Sequence, residues 1–406
     1  MARYARQRGY IGLGAQAAKG TGVVPTTFLR YQGTPSMTPE IAFERYQEGG
    51  DSQYPGFTHK RMWRPDGNFD AFLRPDSGAM LLAHLLGKEI TTGTDTDPVV
   101  STTLTEGEPA GETNLVVASV DGFSVDDVIQ IGTAAGGAAE CRVIESINAG
   151  TNTLVVTNGL KNSYGAATEV AKKQAPYSHI LMPGDYGDMT WLSIERSIAD
   201  QIVERMIDCR IASVQLVGEA GLPLRVTVNY LGITSQKLAA AQTPTYETEM
   251  PFVFHQGSYT EDAVDRSGSF RSFNLTIQNV FDEDDQANQL TRADIPLIRR
   301  DITGSWVYRM ENGDPYESAY YDGASGDPLT GMYEGSLELV QSYGSGTGVR
   351  SITVNIPKVV HTVRAIELSA DSEAAQEYAC EGHAEKDASE EFVTVTIQNG
   401  VSAEYV

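Results

Sequence analysis

Cysteine is scarce in this chain of 406 residues: Cys141, Cys209 and Cys380 stand far apart. An odd number without a CxxC pair or a Cys/His cluster indicates neither a disulfide framework nor a zinc site, and it suits a reducing cytoplasm. Long apolar runs are missing as well. No stretch approaches the roughly 18–20 apolar residues that a membrane helix needs. The basic opening, Met1 to Arg8, has no apolar segment behind it and does not read as a secretory signal. Positive charge is also in short supply, with 30 Lys and Arg against 54 Asp and Glu, a net −24. So acidic a surface repels phosphate and argues against gripping nucleic acid, and taken alone the charge reads first as plain solubility.

Glycine, by contrast, is abundant. Forty glycines lie between short runs rich in Val, Ile and Thr, a pattern of many turns and therefore of β structure. Residues 1–33 read as an arm with strands at Tyr10–Leu13 and Phe28–Tyr31. A strand pair is expected at Thr58–Trp63 and Asn68–Arg74 around the turn Arg64-Pro65-Asp66-Gly67. A helix should then start at Pro75-Asp76-Ser77, carry Met80, Leu81, Leu82, Leu85 and Leu86, and stop at Gly87. Residues 91–175 change character and read as an inserted all-β module, with strands at Asn114–Ala118, Asp127–Ile131, Cys141–Ile147 and Thr153–Thr157. Residues 176–250 hold strands at Met189–Arg196, Arg210–Gly218 and Leu224–Leu231, with Ser197–Asp208 as a polar connection. In 251–406 the expected strands are Phe270–Asn279, Thr303–Glu311, Tyr333–Ser342, Val349–Pro357, Val359–Leu368 and Phe392–Gln398. A short helix at Pro315–Tyr321 should be stopped by Gly323.

An internal repeat is visible in this order. Gly67–Leu73 and its helix parallel Gly304–Met310 and the helix at 315–321. Ser213-Val214-Gln215-Leu216-Val217 parallels Ser336-Leu337-Glu338-Leu339-Val340, and Val226–Asn229 parallels Ile352–Asn355. Trp191–Glu195 has no partner in the scheme. Each copy reads as an antiparallel sheet with one helix packed on a face and open edges that invite pairing with another chain. Alternation puts Phe69, Ala71 and Leu73 inside and Asn68, Asp70 and Arg74 outside, Leu192 and Ile194 opposite Ser193 and Glu195, and Leu337 and Leu339 opposite Ser336 and Glu338.

Motifs for chemistry do not form. Gly12-Leu13-Gly14-Ala15-Gln16-Ala17 fits GxGxxA, but the buried strand, long helix and later acid of a dinucleotide site are missing, and Lys19-Gly20-Thr21 transposes the P-loop order. Asp282–Asp285 lacks the spacing of a calcium loop and reads as a solvated acidic loop. The six histidines never fall at HExxH or HxH spacing. No catalytic residue, metal ligand or cofactor is therefore expected. Paired carboxylates leave no spacing signature, so a β-rich hydrolase stays as a third reading.

Tyr10-Ile11-Gly12-Leu13-Gly14 with Lys19-Gly20-Thr21 and Pro25 resembles the start of phage tail tube proteins. Ser272–Asn279 followed by Arg300–Ser305, and Cys209–Leu216 followed by Ala220-Gly221-Leu222-Pro223, are similar to strands and turns of the same family. The resemblance covers the chain except residues 91–175. Together with the repeat and the change of character at 91–175, it implies a mainly β fold with a few helices: two duplicated β-sandwich or half-barrel modules, each with a packed helix, plus the small inserted domain. The first module would span 1–90 and 176–250, the second 251–406, and 91–175 would face outward. It further implies a structural subunit of a virion tail, assembled in the host cytoplasm into stacked rings around an acidic lumen that conducts DNA. With two modules per chain a ring would need three chains, against six for one module, and tape-measure and tail-tip proteins would be partners. Strand alternation nominates Asp70, Glu195, Glu334 and Glu338 as lumen-facing acids. A tail adhesin or carbohydrate-binding β protein is the alternative reading.

Overall fold

The computed structural model describes residues 9–46, 57–286, 289–321, 326–366 and 376–406. It is 56% strand and 8% helix, and its large antiparallel sheet does not close into a barrel. Ten strands follow one another across the main run. They are Tyr31–Ser36, Gly67–Phe72, Arg225–Leu231, Ile202–Glu219, Phe270–Phe281, Leu297–Arg309, Glu377–Ala384, Arg350–Ile366, Tyr333–Tyr343 and Gly257–Glu261. Period-two alternation makes each strand two-faced. Phe69 and Ala71, Val226 and Val228, Val214 and Leu216, Leu275 and Ile277, and Tyr378 and Cys380 all point into one apolar core. From Arg350–Ile366 a branch continues through Thr394–Asn399 to Glu169–Pro183 and Gly87–Asp95.

Helix α1, Pro75–Leu86, begins on a proline, whose missing N–H costs nothing in the first turn. Its free amides at Asp76 and Ser77 donate to the Glu247 carboxylate at 2.9 and 3.0 Å, a cap supplied from 170 residues away. Gly87, at φ 91°, closes it in the left-handed conformation that favours glycine. Every residue of α1 except Asp76 is buried. The helix is thus enclosed rather than laid on a sheet face, touching strands Thr27–Leu29, Gly87–Asp95, Glu169–Pro183, Ile202–Glu219, Arg350–Ile366 and Thr394–Asn399. The second helix, α2, is Asp314–Tyr320, with only Pro315 buried. Gly323, expected to stop it, lies outside the described residues.

Several expectations change. Thr58–Trp63 and Asn68–Arg74 do not pair with each other. Phe57–Arg64 pairs with Glu40–Tyr46, a strand not read from the sequence, while Gly67–Phe72 joins the main sheet. The polar stretch Ser197–Asp208 is a hairpin and half of a long strand. Ala199 and Asp200 turn the chain at φ 51° and 57°, and Ile202–Glu219 then runs for 18 residues. Its polar side chains fit because they pair across the hairpin, Arg196 with Glu204 and Arg205 with Glu195. Val349–Pro357 and Val359–Leu368 are one strand, Arg350–Ile366, as far as the described residues reach. Pro357 sits where the register with Tyr333–Tyr343 shifts, a place that needs no donor.

The matched segments share a hairpin. Val214 faces Val228 and Leu216 faces Val226 in one. In the other, Leu337 faces Ile356 and Leu339 faces Val354, two residues beyond the matched register, which preserves the face. The third pair is placed differently, since Gly67–Phe72 borders Arg225–Leu231 whereas Leu297–Arg309 lies between Phe270–Phe281 and Glu377–Ala384. Trp191–Ile198 pairs with Tyr10–Gln16. Within 91–175, Leu104, Leu115, Ile129, Ile144, Leu154 and Val170 belong to a second apolar cluster, distinct from the main core.

Candidate functional surface

The face of the main sheet turned away from the core is polar. Register aligns Asp70, Thr227, Gln215, Thr276, Thr303 and His383 in one row across six strands. A second row runs Asn68, Asn229, Ser213, Gln278 and Asp301. Side chains are tied along and across the rows. Thr227 Oγ1 donates to Asp70 at 2.6 Å, Asn229 Nδ2 to Ser213 at 2.8 Å, and Gln215 Nε2 to Asn274 at 2.9 Å. Such cross-strand bonds fix short side chains flat and leave few free donors. The face carries Asp70, Glu219, Asp301, Glu338, Glu377 and Glu381 against Arg225, Arg271, Arg299 and Arg309, with Arg299 3.1 Å from Asp301 and Arg271 3.8 Å from Glu377. Two adjoining hollows lie on it, one bordered by Glu219, Asn274, Ser305 and Glu377, the other by Thr276, Thr303, Glu381 and His383.

The four nominated acids separate on this structure. Asp70 is exposed and sits in the first row. Glu338 is exposed between Thr260 and Asn355. Glu334 is exposed but faces Lys358 at 3.1 Å, which offsets its charge. Glu195 is fully buried, which corrects its nomination. One oxygen accepts from the Tyr10 hydroxyl at 2.5 Å and the other from Arg205 Nε and a terminal guanidinium nitrogen at 2.9 and 2.7 Å. Alternation failed there because Trp191–Ile198 is covered on both faces, as Ser193 at 0% exposure also shows. Glu219, Asp301, Glu377 and Glu381 were missed. For the last two the signal was the alternation of Tyr378, Cys380 and Gly382 in a strand not read from the sequence.

Other polar groups serve the fold. Gly12 and Gly14 lie on strand Tyr10–Gln16, where a Cβ would run into Pro25 and the Val24 carbonyl, so the GxGxxA pattern records close strand packing. Lys19 pairs with Asp294 at 3.1 Å. Glu261, Asp262 and His361 bring ligand-type atoms within 4.8 Å of one another. The Arg364 guanidinium stands 3.0 Å from both carboxylates and already occupies the cation's place. Burial, with Arg364 beside it, pushes the His361 imidazole down to about 4, so it is neutral at pH 7.

A second surface is apolar. The hairpin of Glu40–Tyr46 and Phe57–Arg64 pairs with no other strand among the described residues. It exposes Ile41, Phe43, Tyr46 and Phe57, with the Tyr46 and Phe57 rings stacked at 5.1 Å. Its base is held where Asp66 and Glu283 grip the buried Arg292 at 2.6 and 3.0 Å.

An open antiparallel sheet with a polar outer face, edges that carry at most a two-residue partner among the described residues, and a projecting apolar hairpin defines a β-rich assembly subunit. The phage tail tube protein family matches residues 6–381, and the chain belongs to that family. It is a structural subunit of a bacteriophage virion tail. No curated protein matches the sequence.

Proposed function

We propose that copies of this chain join edge to edge into rings that stack as a tube, with the polar face of the ten-strand sheet lining a bore that conducts DNA. The carrying observation is one continuous sheet whose solvent face is polar and amide-rich and whose outermost strands carry at most a two-residue outer partner among the described residues. Tyr31–Ser36 caps one edge through only three paired positions, and Gly257–Glu261 ends the other with a two-residue partner. Pairing such edges around a ring satisfies their free backbone groups. A wall whose Arg271 and Arg299 are paired with carboxylates and whose Thr, Asn and Gln bond one another offers phosphate few free donors, so DNA passes without binding.

The matched hairpins at Ser213–Asn229 and Ser336–Asn355 favour three chains per ring with pseudo-six-fold symmetry over six. The exposed Ile41, Phe43, Tyr46 and Phe57 give the contact between stacked rings, and the 91–175 module faces outward. Tape-measure and tail-tip proteins are the other partners. The subunit assembles in the host cytoplasm, engages no membrane and catalyses nothing. Cryo-electron microscopy of the purified protein tests this reading. Rings of three chains with Asp70 and Glu381 on the bore are expected, while a bore lined by another surface overturns the assignment.

A further inference from the structure

Residues 401–406 follow strand Thr394–Asn399 and cross from the main core to the inserted module. On the body side they are held at many points. Tyr405 and Val406 donate their backbone N–H groups to one oxygen of buried Glu89, at 2.8 and 3.1 Å. The other Glu89 oxygen is 2.7 Å from His179 Nδ1, and His179 Nε2 lies 2.9 Å from the Val401 carbonyl and 3.1 Å from Asn399. The Tyr405 ring packs on the His179 ring at 4.9 Å, and its hydroxyl accepts from Asn399 at 2.9 Å. On the module side, Glu404 lies 3.6 Å from the Arg142 guanidinium, and Lys161 Nζ donates to the Val406 carbonyl at 3.0 Å. Arg142 is itself paired with fully buried Glu140, whose carboxylate accepts the Lys161 and Asn162 amides.

We propose that residues 401–406 form a strap that fixes the inserted module in one orientation on the tube subunit. The proposal rests on reading 91–175 as a unit with its own core. Strand Glu169–Pro183 runs from one core to the other, with Val170 in the module and Leu181 in the body. Between them its register with Gly87–Asp95 breaks at Gln174 and Tyr177. A broken ladder is a place where two packed bodies can flex, and the strap crosses beside it with bonds to both. The strap adds to the direct bonds at the joint, where the Thr91 and Gly93 amides donate to Ala139 and Gln130 at 3.2 and 3.1 Å.

The test compares the full chain with two variants, one ending at Gly400 and one carrying Glu404→Ala with Lys161→Ala. The second removes the strap's bonds to the module and leaves Glu89, His179 and the Arg142–Glu140 pair intact. Hydrogen exchange is followed at the joint, residues 91–95 and 173–177, and in the module strands Val128–Ile131 and Thr153–Val156. The expected result is at least tenfold faster exchange at the joint in both variants, unchanged module strands, and weaker module density in reconstructions of tubes. Wild-type protection at the joint in the double variant, with the module intact, overturns the strap. Module strands that open together with the joint instead overturn the separate unit on which the strap rests.

Discussion

Glu195 and Arg205 face each other across a hairpin at 2.7 and 2.9 Å, with the carboxylate fully out of water and Tyr10 closing its other side. Burial and this carboxylate raise the Tyr10 hydroxyl well above its ordinary range, so it stays a donor. Glu195→Ala leaves a buried guanidinium and a tyrosine without their acceptor. The expected loss is about 3–5 kcal/mol of unfolding free energy, read from the denaturant midpoint. A shift below 1 kcal/mol would show that water reaches the pair.

Asp70 and Glu381 are exposed on the polar face, so replacing them tests the bore rather than the fold. Asp70→Asn and Glu381→Gln should each change stability by no more than about 0.5 kcal/mol. Asp70→Lys with Glu381→Lys should still form tubes, but DNA ejection from particles built with them should slow, most at low salt. Ejection kinetics across ionic strength give the reading, and rates equal to wild type at every salt would remove these residues from the bore.

Asp76 sets a pH dependence. Burial first, then the nearby Glu247 and Glu249, push its carboxyl up to about 6, while Arg350 and His179 act the other way. The folded pKa is raised above the unfolded one. The contribution to stability is therefore complete below about 4 and lost as pH rises through about 6. Asp76→Asn should flatten that part of the Tm profile between pH 4 and 7 relative to wild type, and parallel profiles would contradict it.

Phe43→Ser with Phe57→Ser should leave the monomer's melting temperature within about 2 °C, because both rings are solvent-exposed before assembly. Tube length by electron microscopy should collapse to single rings. Full-length tubes from this variant would move the ring-to-ring contact elsewhere.

Fold class and element type were readable where one face is wet and the other dry. Phe69, Ala71 and Asp70 obeyed the rule, as did Leu337, Leu339 and Glu338. α1 was legible at both ends, through Pro75 and Gly87, but not in its surroundings, because His84 and Ser77 are buried along with its leucines. Its enclosure depends on strands as distant as Thr394–Asn399, which no local pattern carries. Glu195 was misplaced for a related reason: a charge pattern cannot reveal that Arg205 and Tyr10 fold over it. Strands Glu40–Tyr46 and Glu377–Ala384 escaped notice because charged residues interrupt their apolar positions.

The enclosure of α1 also sets an order of events in the cell. The helix leaves the ribosome early, yet one wall of its compartment is strand Thr394–Asn399, which also pairs with the central strand Arg350–Ile366. A nascent chain shorter than about 399 residues therefore cannot complete its core, whatever its first half has formed. The wall around α1 is therefore completed only once strand Thr394–Asn399 has been translated.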